Sequence, residues 1–293
     1  MEVLSINSVA KDINDLTFTD YYYRLMLLAR SVFEWSNLPN GIDEKWIEKY
    51  LYTEGKCMFF KDSTYGHMVA KCNPQGLLNF YDEPTKLRPY GTNYVGNVYG
   101  NGNESILIRN NDEMIPTSYT MKLFAMRLAK LERAIDINID AQKTPVLIKC
   151  SESQRLTLQT IYRKYNGNEP IIYGDKQLDL DNFQVLKTDA PIVFDKLQLQ
   201  KHAIWNEVMT FLGINNANMD KKERLVDDEV QANNEQVQIS GDVMFKSRKM
   251  ACKQINSLFG TNISVKRRKF EIDENGEPRE VKKEDKKEEG DNT

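Results

Sequence analysis

The sequence predicts an α+β fold in which long helices flank a separate β-rich region. Residues 117–143 and 189–213 carry apolar side chains at steps of three and four, the spacing of one helix face. Between about 56 and 108, short apolar runs alternate with glycine, proline and asparagine, which is typical of strands joined by turns. Segregated helices and strands favour α+β over an alternating α/β chain.

The segment 189–213 contains the clearest helical pattern. Asp189 can cap the first turn, and Pro191 already has the φ of a first helical residue. Gly213 permits the left-handed conformation that often ends a helix. The predicted packed stripe consists of Phe194, Leu197, Lys201, Ile204, Val208, Phe211 and Leu212, widened by Trp205. Lys196, Gln200, Ala203, Glu207 and Thr210 form the opposite, polar stripe, so one face packs and the other meets water.

The segment 214–234 follows this helix and has too few large apolar residues to offset chain entropy. Its charges alternate: Lys221, Lys222 and Arg224 stand beside Asp220, Glu223, Asp227, Asp228 and Glu229. We expect an exposed, mobile loop. Adjacent acids in such a loop seldom converge on one ion, so no metal site is predicted there.

The N-terminal part of the chain predicts an arm and two helices. Residues 1–16 are polar and weakly patterned, which indicates a flexible arm. The helix predicted over 18–35 is apolar nearly all round, which fits either burial against neighbouring subunits or an ordinary core helix. Asp43 can cap a second helix that reaches Leu51.

Strands are expected at CMFFK, YGHMVAKC, GLLNFY and SILIRN, all within the β-rich region. The long helix over 117–143 carries a packing stripe of Met121, Phe124, Leu128, Leu131 and Ile135. Residues 144–188 predict a small α/β insert with strands at 146–149, 171–173 and 183–186 and a helix at 153–165.

The C-terminal part predicts a helix over 235–259, which Ser240 and Gly241 could kink. A strand is expected over 262–270, and residues 273–293 are almost wholly charged, which predicts a disordered tail. The domain plan is therefore an arm, a mixed region over 17–116, two long helices joined by an insert, a loop, and a final mixed region over 235–272.

Composition argues against several function classes. Forty basic and 43 acidic residues leave a net charge of −3, so the chain is no general polyanion binder. Its four cysteines and two histidines lack metal-ligand spacing, and no Walker loop, nucleophile elbow or HExxH motif occurs. We therefore expect no enzyme activity, no metal and no cofactor.

No apolar run approaches the ~20 residues that span a bilayer, and the N-terminus lacks a signal peptide's apolar core. A soluble protein made in the cytoplasm is therefore expected.

Several longer motifs show a family resemblance. They are FEWSNLP (33–39), NNDEMIPT (110–117), DAQKTPVLIK (140–149), YNGNEPIIY (165–173), KTDAP (187–191), AIWNE-MTFLGI (203–214) and KKER (221–224). Together they resemble the head–tail connector, or portal (upper collar) protein, of φ29-like podoviruses. The resemblance covers residues 33 to 259, most of the chain.

The resemblance implies a portal-protein fold assembled as a ring of twelve subunits in the virion, at the head–tail junction. The helices 117–143 and 189–213 would form the stem, the insert 144–188 the clip, and the regions 17–116 and 235–272 the wing. The ring would pass double-stranded DNA during packaging and ejection. Its implied partners are the major capsid and scaffold proteins, the lower collar or tail protein, and a separate packaging ATPase, with no membrane involved.

The resemblance also implies DNA-facing residues. Lys187 and Lys196 match lysines that ring the channel in this family, and 216–233 matches its tunnel loops, with Lys221, Lys222 and Arg224 and the acids Asp227, Asp228 and Glu229. Residue chemistry alone favours ordinary solvated lysines at these positions.

The φ29 protein begins with a basic arm that is implicated in binding a packaging RNA. This chain has one lysine in its first fifteen residues, which argues against RNA binding there.

Lys266, Arg267, Arg268 and Lys269 form the densest basic cluster. It fits either a contact with packaged DNA or a solvated strand edge. The alternative to a portal is a cytoplasmic nucleic-acid-binding or scaffold protein that uses this cluster without forming a ring. A hydrolase based on Cys57 or Cys150 with a histidine has no supporting motif.

Overall fold

The structure is a computed structural model that describes the backbone of 6–141, 146–148, 183–185, 191–215, 227–268, 270–272 and 278–280. It describes the side chains of 12–139, 191–215 and 235–268. Two compact units divide the chain. The first combines Met1–Lys130 with Lys201–Thr293, and the second is Leu131–Gln200.

Five helices are described: α1 (Ile6–Ser31), α2 (Glu44–Glu54), α3 (Thr117–Ala141), α4 (Phe194–Leu212) and α5 (Asp227–Phe259). The predicted flexible arm is wrong from Ile6 onward, because α1 begins there. The predicted helix over 18–35 is also too long. It ends at Ser31, and Phe33–Ser36 is an extended strand.

Twelve strands are described: β1 (Phe33–Ser36), β2 (Lys56–Asp62), β3 (Gly66–Leu78), β4 (Pro84–Gly91), β5 (Tyr94–Val95), β6 (Tyr99–Gly100), β7 (Ser105–Arg109), β8 (Val146–Ile148), β9 (Phe183–Val185), β10 (Ser264–Arg267), β11 (Phe270–Ile272) and β12 (Pro278–Glu280). The largest sheet is antiparallel, in the order β5-β4-β3-β2-β7, with β6 also paired to β4. β1 pairs with β10, placing Trp35 opposite Val265.

The sequence did not predict strand β4, which contains Pro84 and Pro89. Proline cannot donate to a sheet ladder, but β4 meets only the two-residue strands β5 and β6 on its outer side. The strands predicted separately for YGHMVAKC and GLLNFY are one strand, β3, and the second prediction extends too far. β3 ends at Leu78, since the Asn79 side chain accepts hydrogen bonds from the amides of Tyr81 and Glu83 and closes a turn.

The central strand β2 supplies both layers of the core. Cys57 and Phe59 face one hydrophobic cluster, while Met58 and Phe60 face the other, and all four are fully buried. The first cluster also contains residues of α2 and α5, such as Ile47, Leu51, Ala251 and Ile255. A strand that is buried on both faces has apolar residues at successive positions, and the sequence CMFF at 57–60 has this pattern.

Helix α4 begins at Phe194, later than the start predicted at Asp189, and Pro191 to Val193 is not helical. Burial of Ile204, Val208 and Leu212 confirms the C-terminal part of the predicted stripe, and Met209, which the prediction left out, is buried as well. Trp205 is only half-buried and Phe194 is exposed. Gly213 ends the helix at φ +73°, and the Ile214 amide donates back to the Met209 carbonyl at 2.8 Å, as in a Schellman cap.

Helix α5 begins at Asp227 and continues through Ser240 and Gly241 as one helix. Two predictions are therefore wrong. The loop over 214–234 is helical from Asp227, and the final helix is longer than 235–259. Acidic residues at 227–229 suit the first turn of a helix, where they oppose its dipole.

The second unit contains the β8–β9 pair, with Val146 opposite Val185. These strands confirm two of the three predicted in the insert. The predicted helix over 153–165 and the strand over 171–173 lie outside the described residues. In the predicted disordered tail, Pro278–Glu280 instead forms β12 and pairs with β11. Among the described helices, none is long and apolar enough to cross a membrane.

Candidate nucleic-acid interface

The structure describes the side chain of one of the five basic residues expected to line a channel. Lys196 lies on α4 and is exposed. Lys187, Lys221, Lys222 and Arg224 lie outside the described residues. The acids Asp227, Asp228 and Glu229 occupy the first turn of α5 rather than the expected loop.

The start of α4 is held by a residue that the sequence did not single out. The Asn138 side chain donates to the Pro191 carbonyl at 2.9 Å and accepts from the Val193 amide at 3.1 Å. The Leu197 amide then donates to the Val193 carbonyl and opens the first turn. Asn138 therefore fixes the chain one turn before Lys196, within the second unit. An asparagine near the end of a long amphipathic helix is the signal that could have identified it.

The basic cluster at 266–269 is divided between solvent and intramolecular contacts. Lys266 is exposed and pairs with Glu34 across the β1–β10 ladder at 2.9 Å. Arg268 is mostly buried and pairs with Glu44 at the start of α2. Lys269 lies outside the described side chains. The cluster is therefore not a continuous basic patch presented to a polyanion.

Arg267 has the most closely fitted environment of this cluster. Its Nη2 donates to the Gly213 carbonyl at 2.8 Å, and its Nη1 lies 3.2 Å from Asp242 Oδ1. A Cβ atom at Gly213 or Gly241 would lie 2.3 or 2.1 Å from Nη2. Two glycines therefore make room for this guanidinium, which joins the end of α4 to α5 and β10. Arg267 therefore links the two helices, α4 and α5, that flank the segment expected to hold the tunnel loop.

The thiols of the first unit are structural. Cys57, Cys72 and Cys252 are free and buried. Burial raises the pKa of Cys72 and Cys252 to about 12 and the pKa of Cys57 well above its usual value. At neutral pH these groups are thiols rather than nucleophilic thiolates. The His67 ring packs against the rings of Phe59 and Phe259, 5.6 Å from each centroid, and those two rings also contact each other. Among the described residues, no group of three or more His, Cys, Asp or Glu side chains could hold a metal ion.

The helices of the first unit leave large apolar side chains in solvent. On α3 these are Tyr119, Leu123 and Met126, each more than half exposed. On α1 and α5, Leu16, Tyr23, Leu27, Ile239, Val243 and Met250 are similarly exposed. Stripes of this kind on several helices are unusual for a monomer and indicate surfaces that another protein covers.

Comparison with known proteins identifies the relatives. A family model described as Phage Connector (GP10) matches residues 3–272. The structure is similar to one from the portal and tail of native bacteriophage P68, with a TM-score of 0.51, 12% identity and coverage of 90% of this chain and 91% of that chain. This likeness shows a shared fold.

Two further structures are similar at lower scores. One is from the virion of a native gene transfer agent particle, with a TM-score of 0.46, 10% identity, and coverage of 87% of this chain and 82% of that chain. The other is an HK97 family phage portal protein from Corynebacterium diphtheriae, with a TM-score of 0.43 and 10% identity. That match covers 88% of this chain and 94% of the other.

Proposed function

This chain belongs to the Phage Connector (GP10) family, and we propose that it forms a dodecameric ring that conducts double-stranded DNA. Its family and fold make it a portal, or head–tail connector, protein of the virion. The ring would serve packaging of the genome into the head and its later ejection. The family match over residues 3–272 is the observation that carries this proposal.

The exposed helix faces support assembly into a ring. A single chain leaves apolar side chains of α1, α3 and α5 in water, and their burial between subunits would contribute roughly 25 cal/mol per Å² of apolar surface. Identical subunits that contact each other through two different surfaces assemble into closed rings when the rotation allows.

The charge balance suits a conduit rather than a tight DNA binder. Each phosphate neutralised by a lysine releases counterions and adds affinity, so a densely basic lumen would hold the duplex in place. A net charge of −3 with a few exposed lysines would instead guide DNA past the wall. We assign this role to Lys187, Lys196, Lys221, Lys222 and Arg224. The exposed side chain of Lys196 is available for it.

The proposed partners follow from the place of a connector in the particle. The capsid and scaffold proteins would surround the wing, formed by 17–116 and 235–272. The clip, 144–188, would meet the lower collar or tail protein and, during packaging, the separate ATPase. The arrangement of Arg267 and Arg268 gives no support to the alternative of a ring-free scaffold protein that binds nucleic acid through residues 266–269.

Native mass spectrometry of the purified protein, with negative-stain images of the same sample, tests the proposal. We expect one discrete species of about twelve copies with a central hole. A monomer or dimer that binds nucleic acid would overturn the proposal and favour the scaffold alternative. A ring of another subunit number would keep the conduit and correct the stoichiometry.

A further inference from the structure

Helix α1 carries a second apolar stripe on the side away from its own core. The core side consists of Tyr21, Leu25 and Ala29, which are buried. The outer stripe is Ile13, Leu16, Asp20, Tyr23 and Leu27, all exposed and spaced by 3, 4, 3 and 4 residues. This is the a/d spacing of a helix that packs along another helix.

Helix α5 has a matching stripe on its own outer side. Ile239, Val243, Lys246, Met250 and Lys253 are exposed and spaced by 4, 3, 4 and 3 residues. On the opposite side of the helix, Met244, Arg248 and Ile255 are buried in the same chain. The outer stripe is therefore a second seam, exposed among the residues that the structure describes.

The two stripes fit each other in antiparallel orientation. Read from Leu27 backward, the α1 spacings become 4, 3, 4 and 3, the order found from Ile239 forward. The facing pairs are then Leu27 with Ile239, Tyr23 with Val243, Asp20 with Lys246, Leu16 with Met250, and Ile13 with Lys253. Of these five layers, three are apolar and one pairs opposite charges, while the outermost layer places Ile13 opposite Lys253. An a position meets a d position in every layer.

We infer that α1 of one subunit packs antiparallel against α5 of the next subunit in the ring. The inference rests on the proposed ring and names the surfaces that build it. Both stripes belong to the first unit of the chain, and they differ from each other. The contact is therefore heterologous, which is the kind that cyclic assembly requires.

Charges beside the seam favour the same pairing. Asp12 and Asp15 are exposed beside the seam on α1, and Lys249 is exposed beside the seam residue Lys253 on α5. In the antiparallel register the acidic end of α1 runs beside the lysines of α5. Asp20 also pairs with Arg24 at 2.8 Å on its own helix, so its carboxylate would bridge Arg24 and the neighbour's Lys246. Complementary charge of this kind fixes partner and register more than it adds affinity.

Other pairings of the stripes fit less well. In a parallel α1–α5 alignment, Asp20 would face Val243 and Tyr23 would face Lys246. Against the exposed stripe of α3, the same antiparallel spacing places Asp20 opposite Met126 and Leu16 opposite Lys130. Each of these arrangements places two charged residues, Asp20 and a lysine, opposite apolar groups, which costs free energy. The antiparallel α1–α5 register leaves one, Lys253 in the outermost layer.

Cysteine cross-linking tests the register in the assembled protein. With Leu16→Cys and Met250→Cys in one chain, a short bismaleimide should produce dimers and a ladder of higher multimers on a denaturing gel. Leu16→Cys with Ile239→Cys is the matched control. It reports the parallel register, because in the antiparallel one Ile239 lies eleven residues, or about 16 Å, along α5 from Met250. Wild-type protein measures the background from the native cysteines.

A charge exchange provides a second readout. Lys246→Asp should lower the ring fraction in native mass spectrometry by about tenfold at fixed protein concentration. Adding Asp20→Lys should recover most of that loss, while circular dichroism checks that each variant is folded.

The outcomes separate the two proposals. A ladder from Leu16→Cys/Met250→Cys alone, with recovery by the charge exchange, supports the pairing. If the wild type forms rings but the ladder is missing or comes from the control pair, the α1–α5 contact is wrong and the ring stands. If the wild type forms no ring, both proposals are overturned.

Discussion

Glu48 and Arg248, two hundred residues apart, form a bidentate ion pair inside the first unit. Arg248 Nε and Nη2 lie 2.9 and 2.8 Å from the two carboxylate oxygens, and both side chains are 3% exposed. The Trp35 indole donates to the same carboxylate, and Arg248 also donates to the Asn110 carbonyl. The guanidinium lies 4.1 Å from the centre of the Phe33 ring. One arginine of α5 thus holds α2, β1 and the segment after β7 together.

Removing this arginine should destabilise the protein strongly. Arg248→Ala leaves the Glu48 carboxylate buried without its partner, which costs about 3–5 kcal/mol. Urea unfolding at fixed protein concentration measures the change. The control is Arg127→Ala, which breaks the exposed pair of Arg127 with Glu207 at 3.0 Å and should cost at most about 1 kcal/mol. Equal effects of the two variants would show that the buried pair contributes no more than a surface one.

Local periodicity was enough to predict the long helices and the central strands. The spacing in α3 and α4 and the apolar run in β2 reflect contacts that each element makes along its own length. The Glu48–Arg248 pair carries no such signal, because a charged residue on an amphipathic helix has the same pattern whether it is solvated or paired. The start of α5 was missed because composition does not distinguish a polar loop from a polar first helical turn.

The candidate site was predictable to a smaller extent. The exposed position of Lys196 follows from the polar stripe of α4. The contacts of Arg267 do not follow from the sequence, since they depend on glycines at 213 and 241 meeting in space. On α1, the core stripe and the outer stripe together gave a helix that is apolar all round, so the outer seam was hidden. Its a/d spacing can be recognised only in the structure, which shows which apolar residues of α1 are buried and which are exposed.

Gly241 lies inside a helix, where alanine normally stabilises by about 0.5–1 kcal/mol. We expect the opposite sign here. A Cβ atom would lie 2.1 Å from Arg267 Nη2 and 2.9 Å from the Cα of Gly213, so side chain and backbone would both have to move. Gly241→Ala should destabilise by about 1–3 kcal/mol, the usual cost of overpacking. Thermal unfolding measures this change, and Ser240→Ala is the control in the same helix. A stabilised Gly241→Ala variant would show that the two glycines do not meet as described.

The acid stability of the β region should depend on Asp62. Hydrogen bonds from the Thr64 and Tyr65 amides, at 2.8 and 3.2 Å, lower the pKa of this carboxyl, and the Tyr94 hydroxyl donates at 3.0 Å. The pKa of Asp62 is lower in the native state than in the unfolded state, where it is about 3.9. The stabilisation from the ionised carboxylate is therefore fully present above the unfolded-state pKa and is lost as pH falls through the native pKa. Wild type and Asp62→Ala should therefore differ in unfolding midpoint near pH 7 and converge in strong acid. A difference that stays constant with pH would assign the effect to packing rather than to ionisation.

The basic residues of the segment between α4 and α5 should act on DNA and not on assembly. Lys221→Ala, Lys222→Ala and Arg224→Ala together remove three charges and no large apolar group, so rings should form normally. Packaged DNA should slip out more readily once the motor stops, which is measured as nuclease-protected DNA remaining in the heads. The matched control, Lys282→Ala with Lys283→Ala and Lys286→Ala, removes three charges from the C-terminal tail and should retain DNA as the wild type does. Loss of ring assembly would make the segment structural, and retention equal to the control would mean that these residues do not hold DNA.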